Sequence, residues 1–123
     1  MDSKYIYIIY KELCSRLPYG VICEDAYGNA LELNSIDKPN TVTFKCSDNT
    51  FWTTDLDKCK PYLFPLSSMT PKQKAELAHL TADIDGIFEQ VLAEIEFYHR
   101  HHIDYRGLIE MGLAIDATGL GIY

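Results

Sequence analysis

Basic residues are scarce in this chain: 11 Lys and Arg stand against 18 Asp and Glu, a net charge of −7. No Lys/Arg run occurs, and the densest basic stretch is Lys58-Cys59-Lys60. Nucleic-acid binding draws most of its affinity from basic side chains that displace counterions. The balance therefore argues against a nucleic-acid partner, and the acidic surface reads first as a solubility device. Long hydrophobic runs are missing as well. The stretch from Tyr5 to Tyr10 is too short and too rich in tyrosine for a signal-peptide core, and nothing approaches the ~20 apolar residues of a membrane span. The expectation is a protein with no membrane partner that stays in the cytoplasm where it is made. Cysteine is limited to Cys14, Cys23, Cys46 and Cys59, with no C-x-x-C pair. That spacing fits neither a disulfide framework nor a zinc finger, and buried reduced thiols are expected. No G-x-S-x-G, P-loop or G-x-G-x-x-G is present, so no nucleophile elbow and no cofactor is implied.

What is there suits one globular domain spanning residues 1–123, α+β in class. A helix is expected from Lys4 to Leu17, capped by Ser3, on the four-residue repeat Tyr5, Ile9, Leu13, Leu17. Pro18 and Gly20 stop it. Residues 20–54 read as an antiparallel meander of about four strands, broken at Ala26-Tyr27-Gly28-Asn29, at Pro39-Asn40 and at Ser47-Asp48-Asn49. Val42, Phe44 and Cys46 alternate there with Thr41, Thr43 and Lys45, the pattern of a half-buried strand. Residues 58–70 form a connector whose Pro61 and Pro65 forbid a helix and favour an extended crossing. Thr70-Pro71-Lys72-Gln73 then announces a C-terminal helical region, residues 71–113, with Thr as N-cap, Pro at the first position and Gln closing a capping box.

The firmest periodicity follows. Leu77, Leu80, Ile84, Ile87, Val91, Ile95 and Tyr98 recur three or four apart. One unbroken helix from Pro71 to His101 would run roughly 45 Å at 1.5 Å per residue, longer than a domain of this size is wide. Its projecting part would need a second chain to bury Ile87, Val91 and Ile95. Asp83, Asp85 and Gly86 are together poor choices for a helix interior, so a break at Gly86 is expected. Both halves could then pack on the same sheet. Asp104 is positioned to cap a last helix from Tyr105 to about Leu113.

Chemistry concentrates in Tyr98-His99-Arg100-His101-His102-Ile103-Asp104-Tyr105-Arg106. Glu96 and His99 have the E-x-x-H spacing of a di-iron bundle, but the second copy such a site needs is missing. His99, His102 and Asp104 are candidate ligands for a single metal ion with an open position. His99 and His102 also flank the apolar stripe, one turn after Ile95 and Tyr98, where a packing role competes. His101, His102 and Arg106, beside the start of the helix after Asp104, are candidates for an anion or small-ligand site. Asp104 as cap would compete with such an anion. The chain also carries nine tyrosines. Tyrosine is favoured in interfaces for its large ring and polar tip, which makes Tyr7, opposite the first helix's stripe, an interface candidate with Val91 and Ile95.

Two segments carry a resemblance: Lys60-Pro61-Tyr62-Leu63-Phe64-Pro65-Leu66-Ser67-Ser68-Met69-Thr70, and the run from His101 to Ala114. They are similar to a group of small uncharacterised proteins from phages, prophages and other mobile elements of Bacteroides-type gut bacteria. The close match covers about a fifth of the chain. The tail Asp116-Ala117-Thr118-Gly119 departs from that group's usual ending. The resemblance implies a phage or mobile-element product in bacterial cytoplasm, with no functional residue to carry over. With the missing catalytic constellation and the tyrosine surplus, it leads to the expectation of a non-enzymatic binding protein and homo-oligomer. Such a protein would counteract host defence by engaging a host protein or sequestering a nucleotide-like ligand. The alternatives are a metal-dependent hydrolase acting through residues 99–104 and a virion or assembly component.

Overall fold

A computed structural model describes residues 3–38 and 40–123. Pro39 of the expected second break lies outside the described residues, as does the side chain of Ser3, the expected first cap. Helix α1 (Ser3–Arg16) passes into a 3-10 turn over Leu17–Tyr19 and ends at Gly20. Gly20 adopts φ 73°, a left-handed value at which a side chain would be strained. Four strands follow, β1 (Ile22–Glu24), β2 (Ala30–Lys38), β3 (Thr41–Lys45) and β4 (Phe51–Asp55), each antiparallel to the next. The expected meander is therefore present. In β3, Val42 and Phe44 are buried while Lys45 is exposed, as its alternation requires.

The sheet continues beyond the expected four strands. The connector becomes β5 (Lys60–Pro65), antiparallel to β1. Two short strands from the C-terminal region, β6 (Ile103–Asp104) and β7 (Ile115–Asp116), pair with β5 in parallel. The order is β4-β3-β2-β1-β5-β6, with β7 also on β5. The sheet is thus mixed, and the α+β class holds. A proline-bracketed segment fits here because β5 shares only two rungs with β1, Cys23↔Pro61 and Glu24↔Lys60. At the next position the Tyr123 hydroxyl takes the place of a rung. It accepts from the Ile22 N–H at 2.9 Å and lies 2.8 Å from the Tyr62 carbonyl, to which it donates.

The expected helix from Tyr105 to Leu113 does not form. Residues 105–114 are turns, with Gly107 at φ 76° and Gly112 at φ 74°; two left-handed glycines break the helical path. The capping box at Thr70 is present in full: Gln73 N–H donates to Thr70 Oγ1 at 3.1 Å, and Thr70 N–H donates to Gln73 Oε1 at 3.0 Å. It opens α2 (Pro71–Ala82), and α3 (Ile87–Arg100) follows after the expected break. Gly86 sits at φ 95°, ψ 129°, far from helical values.

The core lies between α1 and the sheet. Ile9 and Leu13 meet Val21, Cys23, Leu33, Val42, Phe44 and Leu63, and Leu108, Leu113 and Ala114 join from the C-terminal turns. The face that α1 buries is rotated from the one its sequence suggests. Tyr5 is exposed and Leu17 half-buried, while Glu12 and Arg16 are buried with Ile9 and Leu13. All four cysteines are free; Cys23 and Cys59 are buried as expected, but Cys14 is exposed and Cys46 only half-buried.

Candidate functional site

The histidine segment is a tight reversal. Helix α3 ends at Arg100, and His102 takes φ 58°, so the chain turns at once into β6. The His102 carbonyl accepts from Phe64 N–H at 2.8 Å, which ties the turn to β5. The reversal sends the histidine rings to different neighbours. His99 is buried, its Nε2 2.9 Å from the Tyr105 hydroxyl. Burial, and then the Arg16 guanidinium, hold its pKa below the usual imidazole value. His101 packs on Phe97 with ring centroids 4.4 Å apart. His102 stacks on Tyr123 at 3.6 Å and 9°. Its pKa is pushed down to about 4 by burial, with Arg16 and His101 adding to the effect.

Asp104 caps the turns instead of a helix: its carboxylate accepts from Leu108 N–H at 3.0 Å and Ile109 N–H at 2.9 Å. The candidate metal set His99, His102 and Asp104 is therefore not assembled. One member faces Tyr105, one faces Tyr123, and one is taken up by backbone amides. Among the described residues no group of three or more His, Cys, Asp or Glu side chains is placed to hold a metal ion. The anion candidates His101, His102 and Arg106 diverge as well. Arg106 turns to Glu12, and the helix start they were to flank is absent.

Glu12 and Arg16, 1% and 0% exposed, form the charged centre that sequence reasoning missed. Arg16 Nε donates to Glu12 Oε2 at 2.7 Å, and Arg16 Nη2 donates to the Ile103 carbonyl at 2.7 Å. Glu12 Oε1 pairs with the half-exposed Arg106. Arg16 and Arg106 each lie 5.6 Å from the centroid of the Tyr105 ring, so both guanidinium groups approach that ring. The available signal was a Glu–Arg pair four apart at the end of an amphipathic helix. This network links α1, α3 and β6, and its hydrogen bonds are made within it, with Arg16 Nη1 buried and without a hydrogen-bond partner among the described residues. The neighbouring groove, about 440 Å³, is walled by Leu66, Ser67, Asp104, Glu110 and Asp116, and by none of Glu12, Arg16, His99 or Arg106. Substrate in that groove would meet none of these four groups, and the Asp104 carboxylate beside it already serves two amides.

The second feature is the hairpin of α2 and α3. No residue from Thr70 to Glu96 is buried, and in α3 only Phe97 and His99 are. The break at Gly86 thus occurs, but the halves do not pack their apolar stripe on the sheet. Ile87 is 81% exposed, Phe88 71%, and Val91 and Leu92 45% each. With half-buried Ile95 they occupy one side of the helix. Gln90, Ala93 and Phe97 lie on the opposite side, and Gln90 Nε2 donates to the Ile84 carbonyl at 2.7 Å. Leu80 on α2 is exposed too. Of the interface candidates, Val91 and Ile95 fall on this stripe, and Tyr7 is 61% exposed on α1 with Lys11 over its ring.

No protein-family model, curated protein or solved structure matches this chain. Its chemistry must be read from its own geometry. Among the described residues no helix is long and apolar enough to cross a membrane. The buried network can hold three elements together, and the outward stripe of α3 can be covered by another molecule.

Proposed function

We propose that this chain is a non-enzymatic binding protein that works through the outward face of the α2–α3 hairpin. The observation that carries this reading is the orientation of α3, whose most apolar side faces solvent. Short helices draw most of their stability from packing that side, and contiguous exposed apolar surface on a soluble protein marks interaction sites. At 1.5–3 kcal/mol for each fully buried side chain, covering Ile87, Phe88, Val91 and Leu92 in proportion to their exposure is worth roughly 4–7 kcal/mol. Association itself costs about 4–15 kcal/mol in lost freedom, so the partner must add polar or charged contacts.

The resemblance to phage and mobile-element proteins supplies the setting: a host protein in bacterial cytoplasm, bound so as to blunt a defence. The engagement of His99, His102 and Asp104 elsewhere withdraws support from the hydrolase alternative.

The test compares the wild-type chain with an Ile87→Ser/Phe88→Ser variant as baits in a lysate of gut Bacteroides cells. Circular dichroism should show the same fold for both, since these side chains are exposed. A host protein retained by the wild type and lost by the variant is the expected result. Equal retention by both, or by neither, would count against the reading.

A further inference from the structure

We infer that the partner covering this face is basic: a protein segment, helical in the simplest case, whose apolar side chains are flanked by Lys or Arg. The inference rests on the reading of the α2–α3 face as the binding surface and adds the chemistry of what binds there. From Ala75 to His99 the chain holds Glu76, Asp83, Asp85, Glu89, Glu94 and Glu96 and no Lys or Arg. These are six of the 18 acids and none of the 11 bases. Lys72, Lys74 and Arg100 bring the α2–α3 hairpin as a whole to −3, so the unbalanced acid lies on the outer part of the hairpin, between Glu76 and Glu96.

The acids are available to a partner. Glu76, Asp83, Asp85, Glu89 and Glu96 are exposed, and among the described residues none of them is in an ion pair. Glu94 is half-buried and accepts from the Tyr98 hydroxyl at 2.6 Å. Glu89 also lies over the first turn of α3, where it favours the helix dipole, and this does not remove its outward charge. Glu89 and Glu96 are seven residues apart, two turns along one line of the helix. They border the apolar stripe on its Leu92 side. Asp83 and Asp85 edge the hairpin turn at the other end.

This rim decides between occupants. A second copy docked antiparallel, by a two-fold axis crossing the helix, would set the same acidic rim against itself, a like-charge arrangement that interfaces avoid. An anionic membrane surface would repel it in the same way. An apolar ridge bordered by Lys or Arg would match both the stripe and the rim.

The experiment uses two fluorescent designed peptides with one helical pattern of Leu, one bearing Lys and the other Glu on the polar face. Each is titrated with the full chain. The Leu/Lys peptide should bind at least about tenfold more tightly than the Leu/Glu peptide, and weaken several-fold between about 50 and 300 mM NaCl as screening grows. Ile87→Ser/Phe88→Ser should weaken it by about tenfold or more, and Glu89→Gln/Glu96→Gln by roughly three- to tenfold.

The outcomes separate the two levels. Equal affinity for both peptides, no binding of the Leu/Lys peptide, or a dimer in light scattering that Ile87→Ser/Phe88→Ser dissociates would overturn the basic partner. The dimer would still leave this face a binding surface. Leu/Lys binding untouched by Ile87→Ser/Phe88→Ser would overturn the face itself, because attraction to acidic surface elsewhere would explain it.

Discussion

Replacing Glu12 by Gln keeps the shape of the side chain and removes the one anion facing Arg16. Arg16 is fully buried and donates to only two acceptors, Glu12 Oε2 and the Ile103 carbonyl. After Glu12→Gln the guanidinium stays buried with no countercharge, a change that costs about 3–5 kcal/mol in comparable pairs. Arg106 adds little, because its half-exposed side chain is screened by water. Typical stabilities are about 5–15 kcal/mol, so the variant should lose from about a fifth of its margin to nearly all of it. In urea, with a slope of about 1.5 kcal/mol per molar, the midpoint should fall by about 2–3 M. Trp52, the sole tryptophan, reports unfolding by fluorescence, with far-UV circular dichroism as a second probe. The double change Glu12→Leu/Arg16→Met removes both charges and leaves mainly the Ile103 carbonyl short of a donor, about 1–3 kcal/mol. It should be milder than Glu12→Gln alone, a non-additivity diagnostic of coupled buried charges. A Glu12→Gln variant within about 1 kcal/mol of wild type, or a double variant less stable than Glu12→Gln, would refute this account of the network.

Two further perturbations probe the turn and the hairpin. His102 has a folded pKa of about 4 against an ordinary 6.5, so the unfolded chain binds its proton first; stability is intact above pH 6.5 and declines as pH falls toward 4. After allowance for partial exposure the loss is about 2 kcal/mol. His102→Asn, with a residue that tolerates the positive φ, should flatten urea midpoints across that window, and an unchanged slope would contradict the assignment. Gly86→Ala should cost roughly 1–3 kcal/mol, because φ is 95°; the Glu89 carboxylate that a Cβ would meet is exposed and flexible and can move aside. Hydrogen exchange should show the loss as faster opening of α2 and α3, and a neutral or stabilising Gly86→Ala would mean that the two helices can fuse.

Legibility followed the range of the interactions involved. The capping box at Thr70, the break at Gly86 and the alternation of β3 are set by residues within a few positions of one another, and all three could be read from the sequence. Strands β6 and β7 could not, because two-residue strands have no periodicity and exist only through pairing with β5, some forty or more positions away. The buried face of α1 was misjudged because its apolar spacing pointed to Tyr5 and Leu17. Tertiary pairing with Arg106 and Ile103 instead made Glu12 and Arg16 interior residues. The histidine cluster is close in sequence, but proximity in sequence is not convergence in space. One left-handed residue, His102, sends the rings apart. The apolar stripe of α3 was legible as a stripe, but periodicity does not say whether a face looks inward or outward.

The Tyr123 hydroxyl between Ile22 and Tyr62 has a consequence for the order in which the molecule assembles. The hairpins of β1 to β4 close over short loops and can form as soon as they are made. The seam between β1 and β5 is completed by a residue 101 positions after Ile22, and the parallel partners of β5 also arrive late in the chain. Contacts so distant in sequence are slow to form. A nascent chain therefore carries its meander beside an open edge of β5 until residues 103–123 dock, and clipping after Ala117 would remove the Tyr123 bridge between β1 and β5 while β6 and β7 stay paired.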